Sequence, residues 1–373
     1  MFNNLKDLRF MLMGFFPKFF TNDDILLELE ELDSLVKTYG GQTKALIVQK
    51  GIHPSFTSYL GSGKVQQASD QISKEKIDIV VANDALRSGQ LYTLEKIFQR
   101  ANSNIQVWDK IYLILNIFDL HAQTADAKLQ IKIASLKHMG PRIFGMGHIL
   151  SRQAGGIGTR GIGETNTEIM KRHWRQEIYA IKKKINELEQ NRFQQIEKRK
   201  KQGLITVSLV GYTNCGKTTL FNLLTKKNKY ADDKLFATLD SSSGKLYLSD
   251  LNKTVLLTDT IGFIRNLPLI LINSFKSTLM ESVNADLILH LIDVSDKEMF
   301  TKIKVVEEIL NELDLSQTKK IYVFNKIDTD KKFDKIYIVN NFQKYYPQFI
   351  SARNTKGIDQ LLKTIEDNLN EKN

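Results

Sequence analysis

The chain has a single cysteine, Cys215, among 373 residues. One thiol cannot close an internal disulfide, and zinc sites built from cysteines are excluded with it. Its six histidines show no ligand-like spacing. No apolar run approaches the roughly 18 residues that a membrane span needs. No internal repeat or low-complexity tract is present. These absences point to a soluble protein of a reducing, cytoplasmic compartment. Apolar content of 42% and charged content of 25% are ordinary for a globular chain. At about 100 to 200 residues per domain, the length allows two or three domains.

Residues 10–16 are apolar and follow Lys6 and Arg9, a faint likeness to a signal peptide. No small-residue cleavage site follows, and Pro17, Lys18, Asp23 and Asp24 come next. The segment is read as an apolar strand or docking tail.

The net charge of +11 is unevenly placed. Residues 1–127 hold 13 basic and 15 acidic side chains, and residues 203–373 hold 23 and 21. Residues 128–202 hold 17 basic against 6 acidic, so the whole excess lies there. Concentrated positive charge suits a polyanion through phosphate contacts and counterion release. A solvated helical face is the plainer alternative.

Short apolar runs alternate with helical periodicity in the first 110 residues. The spacing predicts helices over 22–37, 64–73 and 91–100, and strands over 45–48, 77–82 and 105–108. That alternation implies a small parallel α/β domain over 1–110. Residues 111–139 predict one long helix or a pair, ended by Gly140-Pro141. Seven glycines between 145 and 163, with Arg152 and Arg160, predict a loop. It is either a linker or a backbone able to approach phosphates closely. No glycine or proline occurs between Glu164 and Gln202, and Ile178, Ile181, Ile185 and Leu188 form one apolar stripe. A long amphipathic helix follows, half of a helical hairpin, and residues 111–202 become a basic helical linker. Its candidate RNA-binding cations are Arg142, Arg152, Arg160, Lys182, Lys183, Lys184, Lys198, Arg199, Lys200 and Lys201. Residues 203–373 alternate again, predicting strands near 204–210, 245–248, 254–258, 286–292, 319–324 and 347–350 in a doubly wound sheet.

The strand at 204–210 runs into Gly211-Tyr212-Thr213-Asn214-Cys215-Gly216-Lys217-Thr218 and then a helical pattern. This is G-x-x-x-x-G-K-[ST], the phosphate loop of P-loop NTPases. Its glycines let backbone N–H groups turn inward, and the helix N-terminus adds partial positive charge. Lys217 is placed to reach β- and γ-phosphate oxygens, and the Thr218 hydroxyl is a hard ligand for Mg²⁺. Cys215 fills a variable position, as a redox switch or as an incidental small residue.

A second strand ends in Asp259-Thr260-Ile261-Gly262. Asp259 suits the Mg²⁺ shell and the Gly262 N–H suits the γ-phosphate. A third ends in Asn325-Lys326-Ile327-Asp328. A carboxylate there can accept guanine N1–H and the 2-amino group, and adenine would leave it buried and unpaired. Ser351-Ala352-Arg353 suits the loop that supports the guanine oxygen. The ordered set predicts GTP over ATP. Phe236-Ala237-Thr238-Leu239-Asp240 lies between the first two motifs, where a mobile Thr238 could ligate Mg²⁺ only when a γ-phosphate is present. From position alone, Thr225 or Ser241 to Ser243 compete with it. Phe263 follows Gly262, where some GTPases carry a water-orienting Gln. Phenylalanine cannot orient water, no catalytic residue is identified, and slow hydrolysis without a partner is expected.

The phosphate loop with Thr-Leu-Phe-Asn after it, the 236–240 segment, and Asp259 through Pro268 together resemble the HflX family of bacterial GTPases. So do Gly61-Ser-Gly-Lys-Val65, Lys128-Leu-Gln130, Pro141-Arg142, residues 150–164 and Ser274 to Leu279. The resemblance covers about residues 40–370, and the glycine-rich segment is specific to that family. It implies a GTP- and Mg²⁺-dependent monomeric factor that binds the large ribosomal subunit and its RNA, with no DNA partner. Splitting or rescue of stalled or idle ribosomes under stress is the implied role. A ribosome-assembly GTPase and a nucleotide-gated RNA-binding module with little turnover are the rival readings. The chain departs from the family pattern at Cys215, Thr218, Ser241 to Gly244, Asp119, His121 and Leu269.

Overall fold

A computed structural model describes residues 7–153, 162–227, 242–260, 262–265, 284–329 and 333–370, with backbone alone for 141–153 and 162–167. The chain forms two compact units, Met1–Leu120 with Leu129–Lys184, and His121–Lys128 with Ile185–Asn373.

The first unit holds a parallel sheet of order β2-β1-β3-β4, from β1 (Arg9–Pro17), β2 (Gln42–Gly51), β3 (Ile79–Ala82) and β4 (Gln106–Asp109). The apolar N-terminal run is thus not a tail. As β1 it pairs on both sides, with buried Phe10 to Met13 at the sheet centre. Burial on both faces explains why it is uniformly apolar rather than alternating. Helix α1 (Asn22–Tyr39) starts at the expected residue: the Thr21 hydroxyl accepts from the Asp24 N–H, and the Asp24 carboxylate accepts from the Thr21 N–H. Gly40 ends it at φ 106. Helices α2 (Ser62–Glu75) and α3 (Ser88–Phe98) complete the crossovers.

The residues after β4 form a pair of helices, α4 (Lys110–His121) and α5 (Ala125–Gln153). Gly140-Pro141 does not stop α5, and 145–153 is helical rather than loop. A Cβ on Gly140 would lie 1.8 Å from the Trp174 ring of α6 (Ile162–Lys201), so only a glycine lets the ring pack here. Proline loses one ladder bond inside a helix, a cost that tertiary packing can override. Lys132 of α5 also pairs with Glu177 of α6 at 2.6 Å. Residues 154–161, and so the rest of the predicted loop, lie outside the described residues.

The second unit holds a six-stranded sheet, order β10-β9-β8-β5-β7-β6. Its strands are β5 (Thr206–Gly211), β6 (Ser242–Leu248), β7 (Lys253–Asp259), β8 (Leu287–Asp293), β9 (Lys320–Asn325) and β10 (Gln348–Phe349). All neighbours are parallel except the β6–β7 pair at one edge. Helices α7 (Lys217–Thr225), α8 (Met299–Glu312), α9 (Lys335–Phe342) and α10 (Ile358–Asn370) flank it. The core joins Leu209, Phe221, Leu257, Leu289 and Val323. The first sheet is parallel α/β and the second is doubly wound, as expected. No helix among the described residues is long and apolar enough to cross a membrane.

Beside the second core, Glu307 of α8 gathers three partners from two strands. Lys320 Nζ donates at 2.5 Å, the Tyr322 hydroxyl donates at 2.9 Å, and His290 Nδ1 lies 3.5 Å away. Burial works against the Glu307 charge, but these partners outweigh it and lower its pKa to about 2. Burial lowers the pKa of His290 and favours its neutral form. A carboxyl whose folded pKa is depressed stabilises the fold at pH values above its unfolded pKa. That contribution is lost as pH falls from about 4.5 to about 2. Glu307→Gln should cost about 2 kcal/mol at neutral pH, discounted for partial exposure, because buried Lys320 loses its counter-charge. The penalty should shrink toward zero across that acid window. Denaturant unfolding of both proteins at several pH values checks it.

Candidate nucleotide site

The loops that leave the carboxyl ends of β5, β7, β8 and β9 converge, which is where open α/β sheets bind ligands. The loop between β5 and α7 is tightly constrained. A Cβ on Gly211 would lie 2.4 Å from the Leu291 carbonyl oxygen. Asn214 takes φ 60 and Gly216 takes φ 96, which turns the backbone back on itself. Helix α7 then begins without a side-chain cap, so its first N–H groups remain available to an anion.

Lys217 is buried within the curl of this loop. Its ammonium donates to the carbonyls of Tyr212 at 2.7 Å and Gly211 at 3.1 Å. The Thr218 hydroxyl donates to Asp259 Oδ2 at 3.0 Å, which brings together two hard oxygens from two motifs. Among the described residues, no cluster of three or more His, Cys, Asp or Glu side chains could itself hold a metal. Two protein oxygens suit Mg²⁺, which keeps waters and phosphate oxygens as its other ligands.

The Asp-x-x-Gly segment is fastened to the phosphate loop. The Phe263 N–H donates to Gly211 O at 3.1 Å, and the Thr213 N–H donates to Phe263 O at 2.8 Å. A Cβ on Gly262 would meet Thr213 at 2.7 Å and the Lys217 ammonium at 3.2 Å. Phe263 itself is 1% exposed, with its ring packed in the interior. Thr260 directs its hydroxyl to Leu209 O at 2.7 Å.

At the other end of the site, Asn325 acts as a strut. Its amide donates to Cys215 O at 2.9 Å and accepts from the Ala352 N–H at 3.0 Å. It ties the phosphate loop to the loop after β10. Lys326, at φ 66, pairs with Asp293 at 2.8 Å. A hydrogen bond from Ser351 holds the Asp328 carboxyl below the usual carboxylate range, and Arg353 and Lys356 add to this. Asp328 is partly exposed, Ser351 is buried and Arg353 is exposed. Ile327 is partly buried and packs beside Phe324.

Cys215 is buried, and burial pushes its thiol up; Lys217, with its ammonium 3.8 Å from the sulfur, pulls the other way. A raised thiol is a poor nucleophile and redox sensor, which favours the incidental reading.

Of the competing switch residues, Thr225 donates its hydroxyl to Phe221 O within α7, and Ser242 and Ser243 belong to β6. Phe236, Ala237, Thr238, Leu239, Asp240 and Ile261 lie outside the described residues, as do Arg160 and the side chains of Arg142 and Arg152. Lys182, Lys183 and Lys184 are exposed on α6, as are Lys198, Lys200 and Lys201, while Arg199 is half-buried. Burial and the Lys182 cation push the Lys137 ammonium of α5 down, so like charges crowd on these helices.

Two contributors, Asp293 and Glu298, had no motif to mark them. Asp293 orients Lys326, and its position at the tip of β8 was the available signal. The Tyr212 hydroxyl accepts from the Arg265 N–H at 2.7 Å, and Arg265 pairs with Glu298 at 2.5 Å.

Three family descriptions match the chain in succession: "GTP-binding GTPase N-terminal" over 27–119, "GTP-binding GTPase Middle Region" over 121–199 and "50S ribosome-binding GTPase" over 206–326. GTPase HflX of Caldanaerobacter subterraneus subsp. tengcongensis is 43% identical over 341 residues, covering 91% of this chain and 77% of that protein. GTPase HflX of Escherichia coli K12 is 36% identical over 353 residues, covering 94% and 81%. Among solved structures, a GTP-binding protein of Sulfolobus solfataricus in complex with GDP shares the fold, with TM-score 0.50, 23% identity and coverage of 97% and 99%.

Proposed function

The chain belongs to the HflX family of GTPases, and from that premise we propose that it is a Mg²⁺-dependent GTP hydrolase that associates with the large ribosomal subunit. We infer that it splits or rescues stalled or idle ribosomes and acts as a monomer in the cytoplasm.

The observation that carries the nucleotide part is the Thr218–Asp259 contact at 3.0 Å beside a buried Lys217. In this reading the N–H groups of Gly211 to Thr218 cradle the phosphates and Lys217 neutralises charge on the β- and γ-phosphates. Mg²⁺ held by the Thr218 hydroxyl, with Asp259 behind it and Thr238 joining from the switch segment, would stabilise charge that develops on the transferring phosphoryl group. The Gly262 N–H meets the γ-phosphate. Asp328 accepts the two guanine donors, Lys326 packs along the base, and Ser351 to Arg353 support the guanine oxygen. Asn325 holds the two halves of the site together. Burial of Phe263 leaves that side chain no role in orienting water, so turnover is slow until a partner or backbone groups supply the positioning.

The ribosomal part is supported by the +11 excess confined to 128–202, by the crowded cations of α5 and α6, and by the match of residues 206–326 to a family of 50S ribosome-binding GTPases. Sedimentation of the protein with mature large subunits and with precursor particles tests it, using GTP, GDP and a non-hydrolysable analogue. Binding to mature subunits that is strongest with the analogue is expected, together with faster GTP turnover when subunits are added. Preference for precursor particles would move the assignment to assembly. No binding to either would overturn it.

A further inference from the structure

Among the described residues four threonines are buried: Thr38, Thr213, Thr258 and Thr260. Three of them direct the hydroxyl to a backbone carbonyl. Thr38 donates to Ser34 O at 2.8 Å, Thr258 to Val207 O at 3.4 Å and Thr260 to Leu209 O at 2.7 Å. Thr213, in the phosphate loop, is 7% exposed, and its hydroxyl has no hydrogen-bond partner among the described residues. Buried hydroxyls are nearly always paired, because an unpaired one has given up water without compensation. An unpaired one on a constrained loop points to a partner that arrives with the ligand.

Its place in the site indicates that partner. The point where a Cβ on Gly262 would sit is 2.7 Å from Thr213 Cγ2, 2.9 Å from Thr213 Cα and 3.2 Å from the Lys217 ammonium. Gly262 and Lys217 are the groups assigned above to the γ-phosphate, so the Thr213 side chain borders the same small volume. The backbone fixes it there: the Thr213 N–H donates to Phe263 O at 2.8 Å, and Asn214 beside it takes φ 60. Phe263 stands where some GTPases carry a water-orienting glutamine, and it is 1% exposed. A hydroxyl without a partner thus lies beside a reaction whose water lacks an orienting side chain from the Asp-x-x-Gly segment.

We propose that the Thr213 hydroxyl orients the water that attacks the γ-phosphate. It accepts a hydrogen bond from the water and donates one to a γ-phosphate oxygen, so one side chain aligns both reactants. The water oxygen bonds to the γ-phosphorus. The bond from that phosphorus to the β–γ bridging oxygen breaks, and its electron pair leaves on GDP. One water proton stays on the attacking oxygen, the other passes to a phosphate oxygen, and Thr213 keeps its own. The proposal rests on the GTP hydrolysis proposed above and adds the residue that positions the nucleophile. Threonine is shorter than glutamine and holds the water by a single contact, so turnover stays slow without a partner.

Thr213→Val keeps the shape and removes the hydroxyl, whereas Thr213→Ser keeps the hydroxyl. Single-turnover GTP hydrolysis is measured for the full-length protein and both variants, with and without purified large ribosomal subunits. Titrations with GDP, and with GDP plus aluminium fluoride, accompany it. The valine variant should hydrolyse GTP about 10- to 100-fold more slowly and bind GDP–aluminium fluoride more weakly by a similar factor, with GDP affinity within about twofold of wild type. Serine should recover most of the rate. Denaturant unfolding of the ligand-free protein gives a readout apart from turnover: valine should leave the midpoint unchanged or raise it, because the hydroxyl makes no bond to the described chain. A lowered midpoint, or GDP binding lost as far as turnover, would overturn the proposal. If the wild type hydrolyses GTP and the valine variant matches it, the Thr213 role alone falls. If the wild type neither binds nor hydrolyses GTP, with or without subunits, the hydrolase reading falls and this role falls with it.

Discussion

In Lys217→Ala, GTP affinity should drop by at least about a hundredfold, while salt-sensitive RNA binding stays near wild type. The size follows from where the ammonium sits. It is desolvated inside the loop, and its two carbonyl contacts of 2.7 and 3.1 Å fix it before any ligand arrives. A phosphate therefore meets a cation already stripped of water, where charge-assisted hydrogen bonds contribute about 1.5–3 kcal/mol each. The cations of 128–202 share none of these bonds. Calorimetry with GTP and a filter assay with RNA, run on the same preparation, decide the matter. Joint loss of both activities would show that the two parts are not separable.

Asp328→Asn should reverse base preference. In the proposed site guanine would present two donors to a carboxylate that Ser351 holds in its charged form, through a hydrogen bond that lowers its pKa. The amide offers one acceptor and one donor, and its donor would face the guanine amino group. Sites built to pair a polar edge reject a mismatched one by about 10⁴- to 10⁵-fold. Xanthine replaces the amino group with a carbonyl, so it should pair with the new amide. Loss of GTP binding with gain of XTP binding is the expected result. Loss of both nucleotides equally would mean that Asp328 supports the loop rather than reading the base.

Much of this fold was readable because its signals are local. Helical spacing over 22–37 located α1, and Gly211 and Gly216 marked the phosphate loop. The phosphate loop, Asp259 and Asn325 to Asp328 each followed a strand, so their approximate places could be read. What escaped depends on partners distant in sequence. An unbroken apolar run does not reveal whether it is a tail or a central strand; β1 became central only by pairing with both β2 and β3. Gly140-Pro141 reads as a stop, and only the Trp174 ring packed on Gly140 shows why the helix continues. Asn325 was recognisable as part of a guanine motif, yet its side chain is directed to Cys215 and Ala352. Phe263 was visible as a missing glutamine, but its burial was not.

The Asn325 strut also bears on how the protein is made. It joins residues 110 apart in sequence, and β8 lies between β5 and β9 in the sheet. Contacts of such separation form only after a long loop has closed. The phosphate loop sequence emerges from synthesis well before β9, yet its clamp cannot close until β8 and β9 have joined the sheet. A chain interrupted before residue 325 would carry the phosphate-loop sequence without this clamp on Cys215.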